Sequence, residues 1–264
     1  MAFEELKARQ ATVWGSAPFE NIAPTLADLY EAILGSVDGG PGDRWLDVGC
    51  GTGELAFLAA ETGADVRGCD LAPNLVATAT RQAAERGLEI PFDVADVEAL
   101  PYEDGSYDVV TSCVGAIFAP DHARTAAELA RVTAPGGRLA LTAWMPEGGV
   151  GEMFRAMGSF APPPPPDAGV PLQWGNPEYV RSMLGETFEL TITQHNAPWT
   201  DESAEEAWAE FSTSFGPIKT LLDTLPPERA DELGEVYLKL LDSDGSDGPV
   251  SLDREFILIS GVRR

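Results

Sequence analysis

The chain has 264 residues, with 43 acids against 17 bases and a formal charge of −26. A surface this negative repels phosphate backbones, which argues against nucleic acid and anionic membranes as partners; it reads as an environmental adaptation or as a bias towards cationic ligands. At 44% apolar residues, a chain of this length builds its own core without a disulfide or metal staple.

The start, MAFEELKARQ, is charged and lacks a signal-peptide core. Residues 2–13 and 24–35 read as helices, joined through VWGSAPFENIA, which carries Trp14 and Phe19 in an irregular segment. Strand and helix signals then alternate. RWLDVG, DVRGCD, EIPFDVAD, YDVVTSC and GGRLALTAW read as strands, the third edge-like because of Pro91. GELAFLAAETG, PNLVATATRQAAERG and DHARTAAELARVT read as helices between them. This alternation implies an α/β fold with a parallel sheet and helices on both faces. Beyond residue 146, the run APPPPPDAGVP reads as a stiff spacer, and NPEYVRSML as a helix capped by Asn176. FELTITQHNA is a sixth strand, 203–223 and 226–242 two helices, SDGSDG a turn, and DREFILISGVRR the last strand. The helical pair between the last two strands reads as an inserted cap. Cys50, Cys69 and Cys113 are scattered without metal-ligand spacing. With no run of about 18 apolar residues, they point to a reduced, cytoplasmic protein with no metal.

The chemistry concentrates in RWLDVGCGTGELA. Gly49, Gly51 and Gly53 form G-x-G-x-G, and Glu54 stands where a dinucleotide loop has its third glycine. A carboxylate at a helix N-terminus repels a pyrophosphate, and the Lys-Ser/Thr of a Walker loop is absent. Both features weaken the alternative of a nicotinamide-dependent oxidoreductase. Asp70, ending the second strand, is placed to accept from both ribose hydroxyls. Asp96, after the third, is placed for an exocyclic adenine amine. Asp47 points at the loop or at a cationic amine beyond it. Three carboxylates around one crevice suit a cationic nucleoside.

These residues resemble the class I S-adenosylmethionine-dependent methyltransferases. LDVGCGTG, VRGCDLAPNLVATA, DVADVEALPYEDGSYDVVTS and ELARVTAPGGRLALTAW match in order over about residues 44–144. The flavour is that of the small-molecule group that includes the ubiquinone/menaquinone C-methyltransferases. The resemblance implies a Rossmann-like seven-stranded sheet of order 3-2-1-4-5-7-6, the last strand antiparallel. It implies that the three glycines, with Cys50 as a small loop filler, pass under the cofactor. It places Asp70 on the ribose, Leu71 and Leu75 near the adenine, Asp96 on the adenine amine, Val97 beside it, and Cys113 at the methionine end. S-adenosylmethionine is then the cofactor and S-adenosylhomocysteine the product. A protein of this fold that binds the cofactor without transferring methyl is the alternative.

Transfer by in-line displacement demands mainly alignment, with nucleophile and methyl about 3–3.5 Å apart. His122 is the candidate base, although Asp121-His122 also reads as a helix start with Asp121 at the N-cap. His195, ending the sixth strand, reads as structural or solvated. Trp14, Phe19, Phe118, Trp144 and Met145 are expected to border the substrate pocket, where aromatic faces attract a sulfonium. Residues 1–36 are expected to form an N-terminal helical lid, with 1–23 lying over the cofactor. Residues 37–264 then form the methyltransferase domain and 203–242 its cap. The expected partner is a small-molecule methyl acceptor, hydrophobic or aromatic first and a cationic amine second, on a monomer or homodimer.

Overall fold

Short apolar runs alternating with amphipathic stretches close into one covered sheet in the computed structural model, which describes residues 3–242 and 248–264. Five parallel strands come first: β1 (Arg44–Val48), β2 (Asp65–Asp70), β3 (Phe92–Val94), β4 (Tyr107–Cys113) and β5 (Thr133–Trp144). Later come β6 (Phe188–Asn196), the pair β7 (Trp199–Asp201) and β8 (Val250–Leu252), and β9 (Glu255–Arg263). The seven-stranded sheet has the order β3-β2-β1-β4-β5-β9-β6, with β9 antiparallel to both neighbours. This is the expected topology. Strand β3 is shorter than its sequence signal and occupies the edge. Pro91 precedes it without a backbone donor, a placement an edge tolerates.

Ten α-helices are found among the described residues. They are α1 (Glu4–Trp14), α2 (Ala27–Val37), α3 (Glu54–Glu61), α4 (Pro73–Glu85), α5 (His122–Val132), α6 (Gly149–Gly158), α7 (Pro177–Leu184), α8 (Ala204–Ser214), α9 (Gly216–Thr224) and α10 (Pro227–Leu241). Caps act where the sequence placed them. Asp121 accepts from the Arg124 N–H at 3.0 Å to start α5, and Asn176 from Glu178 N–H at 2.9 Å to start α7. Each such cap is worth about 1 kcal/mol. The apolar stripes of α2 and α5 bury Leu29, Ile33, Leu129 and Val132 completely or nearly so, against sheet residues such as Leu46, Val109, Val110 and Leu139.

The cap differs from the expected helical pair. The stretch 203–223 is two helices, because Phe215 is extended (φ −99°, ψ 103°) ahead of Gly216-Pro217. Pro217 brings no N–H donor, and its ring would clash with a continuing helix. The ribbon β7–β8 escaped the sequence reading, since three-residue strands carry too little alternation to register. Most of the expected turn SDGSDG, residues 243–247, lies outside the described residues.

Candidate active site

The glycine loop leaves β1 at the carboxyl end of the sheet, where open α/β sheets place their crevice. Gly49 has φ 64°, and a Cβ there would stand 2.9 Å from the Gly115 Cα, so two backbones meet where no side chain fits. Gly51 has φ 54°, and its missing Cβ would face only the Phe19 ring, at 3.6 Å. A single cavity runs from this loop along the ends of β2, β3 and β4, beneath α1 and into the cap.

The carboxylates are fixed by neighbours in the sequence motif. Asp70 accepts from Gly51 N–H and from Ala72 N–H, both at 2.9 Å. It therefore ties the loop as well as closing β2. Burial pushes its pKa up, and these backbone donors act against that. Asp47 is paired with Thr111 across β1 and β4 and accepts from its hydroxyl at 3.2 Å. Thr111 in turn accepts from the Trp45 indole N–H at 2.9 Å. The second oxygen of Asp47 is buried with no hydrogen-bond partner among the described residues. Burial, and then the charges of Asp70 and Glu54, raise the Asp47 pKa to about 8, against the Thr111 hydrogen bond. Such a carboxyl is completed by a donor from a ligand, best a cationic one. Glu54 accepts from the Thr52 hydroxyl at 2.7 Å and is also pushed up by burial.

Asp96 accepts from Glu98 N–H at 2.9 Å through one oxygen and from Lys7 Nζ at 2.6 Å through the other. Lys7 also reaches Glu98 at 2.9 Å, and Glu98 holds the Asp121 N–H at 2.7 Å. Helix α1 is thus clamped above the β3 end of the crevice. Further along, Gln10 donates to the Phe118 carbonyl at 2.8 Å, and the Trp14 ring sits 4.8 Å from Phe118 and 5.5 Å from Phe215. The same segment touches the core and the cap.

Most of the expected site residues share this cavity. Asp47, Gly49, Cys50, Gly51, Asp70 and Leu71 line it, as do Leu75, Asp96, Val97 and Cys113. Trp14, Phe19, Phe118 and Trp144 do as well. Three expected residues do not. Gly53 starts α3 and faces Phe57 and Ala79 inside the core. Met145 follows the end of β5, its N–H bonded to the Glu255 carbonyl, and its side chain packs against the main core. His122 is buried at the start of α5, with Nδ1 2.8 Å from the Tyr179 hydroxyl and the ring edge-on to Trp174. Its ring is held by Tyr179 and Trp174 and does not line the cavity, which leaves the expected base without reach into it. His195 is exposed, beside Thr193, and stacks on Phe256.

Sequence reasoning missed Lys7, Gln10, Tyr30 and Arg254, all in the cavity wall. Lys7 carried a faint signal, being one of three lysines in a very acidic chain. Arg254, just before the last strand, carried none. All three cysteines have thiols pushed well up by burial, which leaves them unreactive.

The methyltransferase domain family matches residues 46–141. Over 266 aligned positions the chain is 35% identical to an uncharacterized protein of Mycobacterium tuberculosis, covering 99% of this chain and 96% of that one. It is 44% identical over 116 residues to the demethylmenaquinone methyltransferase of Thermus thermophilus, covering 42% of this chain and 53% of that enzyme. Among solved structures, the YcgJ protein of Bacillus subtilis shares the fold with a TM-score of 0.62 at 21% identity, covering 92% of this chain and 99% of that one. The glycine loop, the sheet order and these matches agree: the chain belongs to the class I S-adenosylmethionine-dependent methyltransferase family.

Proposed function

We propose that this protein transfers the methyl group of S-adenosylmethionine to an apolar, ring-bearing small molecule held between the N-terminal segment and the cap. One observation carries this reading. A single cavity has carboxylates at one end, Asp47, Asp70 and Asp96, and apolar or aromatic side chains at the other, among them Phe154, Trp199, Phe211, Phe215 and Leu252. The first end suits a cationic nucleoside and the second an apolar acceptor.

The residues present fit the cofactor. The unpartnered oxygen of Asp47 offers an acceptor for an ammonium. The Asp70 oxygens each take one backbone N–H and keep a lone pair for a ribose hydroxyl. Asp96 is held by Lys7 and Glu98 N–H with acceptor capacity left for an amine. Leu71, Leu75 and Val97 supply apolar walls. Bound there, S-adenosylmethionine supplies an electrophilic methyl on a sulfonium.

The chain's own work is to position and to dry the site. Alignment of the acceptor against the methyl group contributes roughly 7–11 kcal/mol of barrier reduction. Residues 3–23 act as a lid: Lys7, Gln10, Trp14 and Phe19 cover the crevice and exclude water from the acceptor. Neither histidine lines the cavity, so the acceptor is one that needs no histidine base. Incubation of the protein with methyl-labelled cofactor and a fractionated metabolite pool tests the reading. Label in an apolar acceptor with stoichiometric S-adenosylhomocysteine is expected; cofactor binding with no product from any fraction would favour a pure binding protein.

A further inference from the structure

Arg254 is a cation in an apolar wall with no carboxylate at ion-pair distance; Asp28, on α2, is near enough to act on its charge but makes no bond to it. The arginine is 8% exposed, lines the cavity, and forms no ion pair among the described residues. Its Nε donates to the Ala197 carbonyl at 2.9 Å, Nη1 to the Thr25 hydroxyl at 3.1 Å and Nη2 to the Thr25 carbonyl at 2.6 Å. A guanidinium carries five N–H donors. Two are therefore left without an acceptor among the described residues. Burying a guanidinium against neutral acceptors alone is costly, and an ionised partner is the ordinary remedy. Lys7, the other cation in the wall, already has two carboxylates.

Position decides which ligand meets it. Arg254 immediately precedes β9, which lies two strands beyond β4 on the side away from the glycine loop. Neighbouring strands are about 4.8 Å apart, so its backbone is about 10 Å past the end of β4. Arg254 and Cys113, at that strand end, line the same cavity. Arg254 thus stands between the cofactor residues and the aromatic cap.

We propose that Arg254 is a specificity-determining residue that binds an anionic oxygen, a carboxylate or a phenolate or enolate, on an otherwise apolar acceptor. This rests on the methyltransferase reading and deepens it. An acceptor that is already ionised, with its charge held by Arg254, needs no histidine to remove a proton. The other source of the same chemistry is the carboxylate of the cofactor's own methionine, and the test separates the two.

The probes are naphthoate and its neutral isostere naphthamide, titrated into the S-adenosylhomocysteine-loaded protein and read by quenching of the cavity tryptophans. Wild type is expected to bind naphthoate about ten-fold or more tightly than naphthamide, despite its net negative charge. Arg254→Gln should bring naphthoate down to the naphthamide level and leave the affinity for naphthamide and S-adenosylhomocysteine within about two-fold. Arg254→Lys, which keeps the charge, should retain part of the preference. Equal binding of the two probes by wild type, or no naphthoate binding, overturns the proposal without needing any variant to fold. A loss of S-adenosylhomocysteine affinity in folded Arg254→Gln of about ten-fold or more also overturns it, and assigns the donors to the cofactor's carboxylate. Failure of wild type to bind S-adenosylhomocysteine at all would instead sink the methyltransferase reading, and this inference with it.

Discussion

Lys7 Nζ stands 2.6 Å from Asp96 Oδ2 across 89 positions of sequence, and 2.9 Å from Glu98 Oε2. Burial lowers the lysine pKa, but the hydrogen bonds and charges of Asp96 and Glu98 outweigh it and raise the net value, so the ammonium stays charged. The pair joins the first helix of the chain to the end of β3. Replacing Lys7 by Met leaves Glu98, 1% exposed, without its counter-charge. A loss of about 3 kcal/mol is expected from a broken buried pair. Calorimetric melting should show a clear fall in Tm, and titration a weaker grip on S-adenosylmethionine. Deleting residues 1–23 should abolish cofactor binding; unchanged affinity would end the lid idea.

Gly51 tests the floor of the site. A valine there must adopt φ 54°, at a cost of about 1–2 kcal/mol for a left-handed residue and more for a branched one. Its first added atom meets only the Phe19 ring, at 3.6 Å, and so projects into the cavity and not into packed backbone. Gly51→Val is expected to remain folded by circular dichroism and to lose cofactor binding. Normal affinity in that variant would refute the loop assignment.

Asp47 makes cofactor binding depend on pH. Its pKa is about 8 in the empty protein and 3.8 in a free chain. The folded form therefore holds a proton that the unfolded form has released, and stability of the empty protein falls as pH rises between those values. An ammonium beside Asp47 favours the ionised form, so binding below pH 8 expels a proton. Affinity should rise with pH, by at most about ten-fold per unit, up to roughly pH 8. Titration calorimetry in buffers of different ionisation enthalpy should register the released proton. Asp47→Asn should remove this dependence; a flat profile in wild type contradicts the assignment.

His122 is expected to matter for stability and not for turnover. Burial lowers its pKa, so its contribution is complete above the unfolded value of 6.5 and declines as pH falls through and below it. His122→Asn loses the fit to Tyr179 and Trp174 and should cost about 1–3 kcal/mol. Turnover per folded molecule should be unchanged once an acceptor is known. A collapse of kcat with an unaltered melting curve would restore the base role.

The sheet and the carboxylate end of the cavity were legible because their residues are local and periodic. Gly49, Gly51 and Asp70 sit within one strand–loop–helix–strand unit, where spacing alone brings them together. Asp96 follows from the next strand in the same way. The aromatic end was only partly legible. Arg254 and Phe211 reach this end through contacts between distant segments, such as Arg254 with Thr25 across 229 positions, as Lys7 reaches Asp96 at the other end. Nothing in composition or period encodes such a meeting. His122 misled because a helix start beside the crevice fixes where a residue lies along the sheet, but not to which side its ring turns.

The small ribbon that escaped the sequence reading has a consequence for how such enzymes diversify. Trp199–Asp201 pairs with Val250–Leu252, directly after β6 and directly before β9 stay in register from Phe188 with Arg263 to Asn196 with Glu255. The inserted segment therefore leaves and returns through one closed stem. The closure entropy of a loop grows only slowly with its length, so inserts of other sizes can hang from the same stem. On the proposed reading, a new cap grafted at these two strands would exchange the recognised molecule and leave the glycine loop as it was. The ribbon is the seam at which this architecture can be recut.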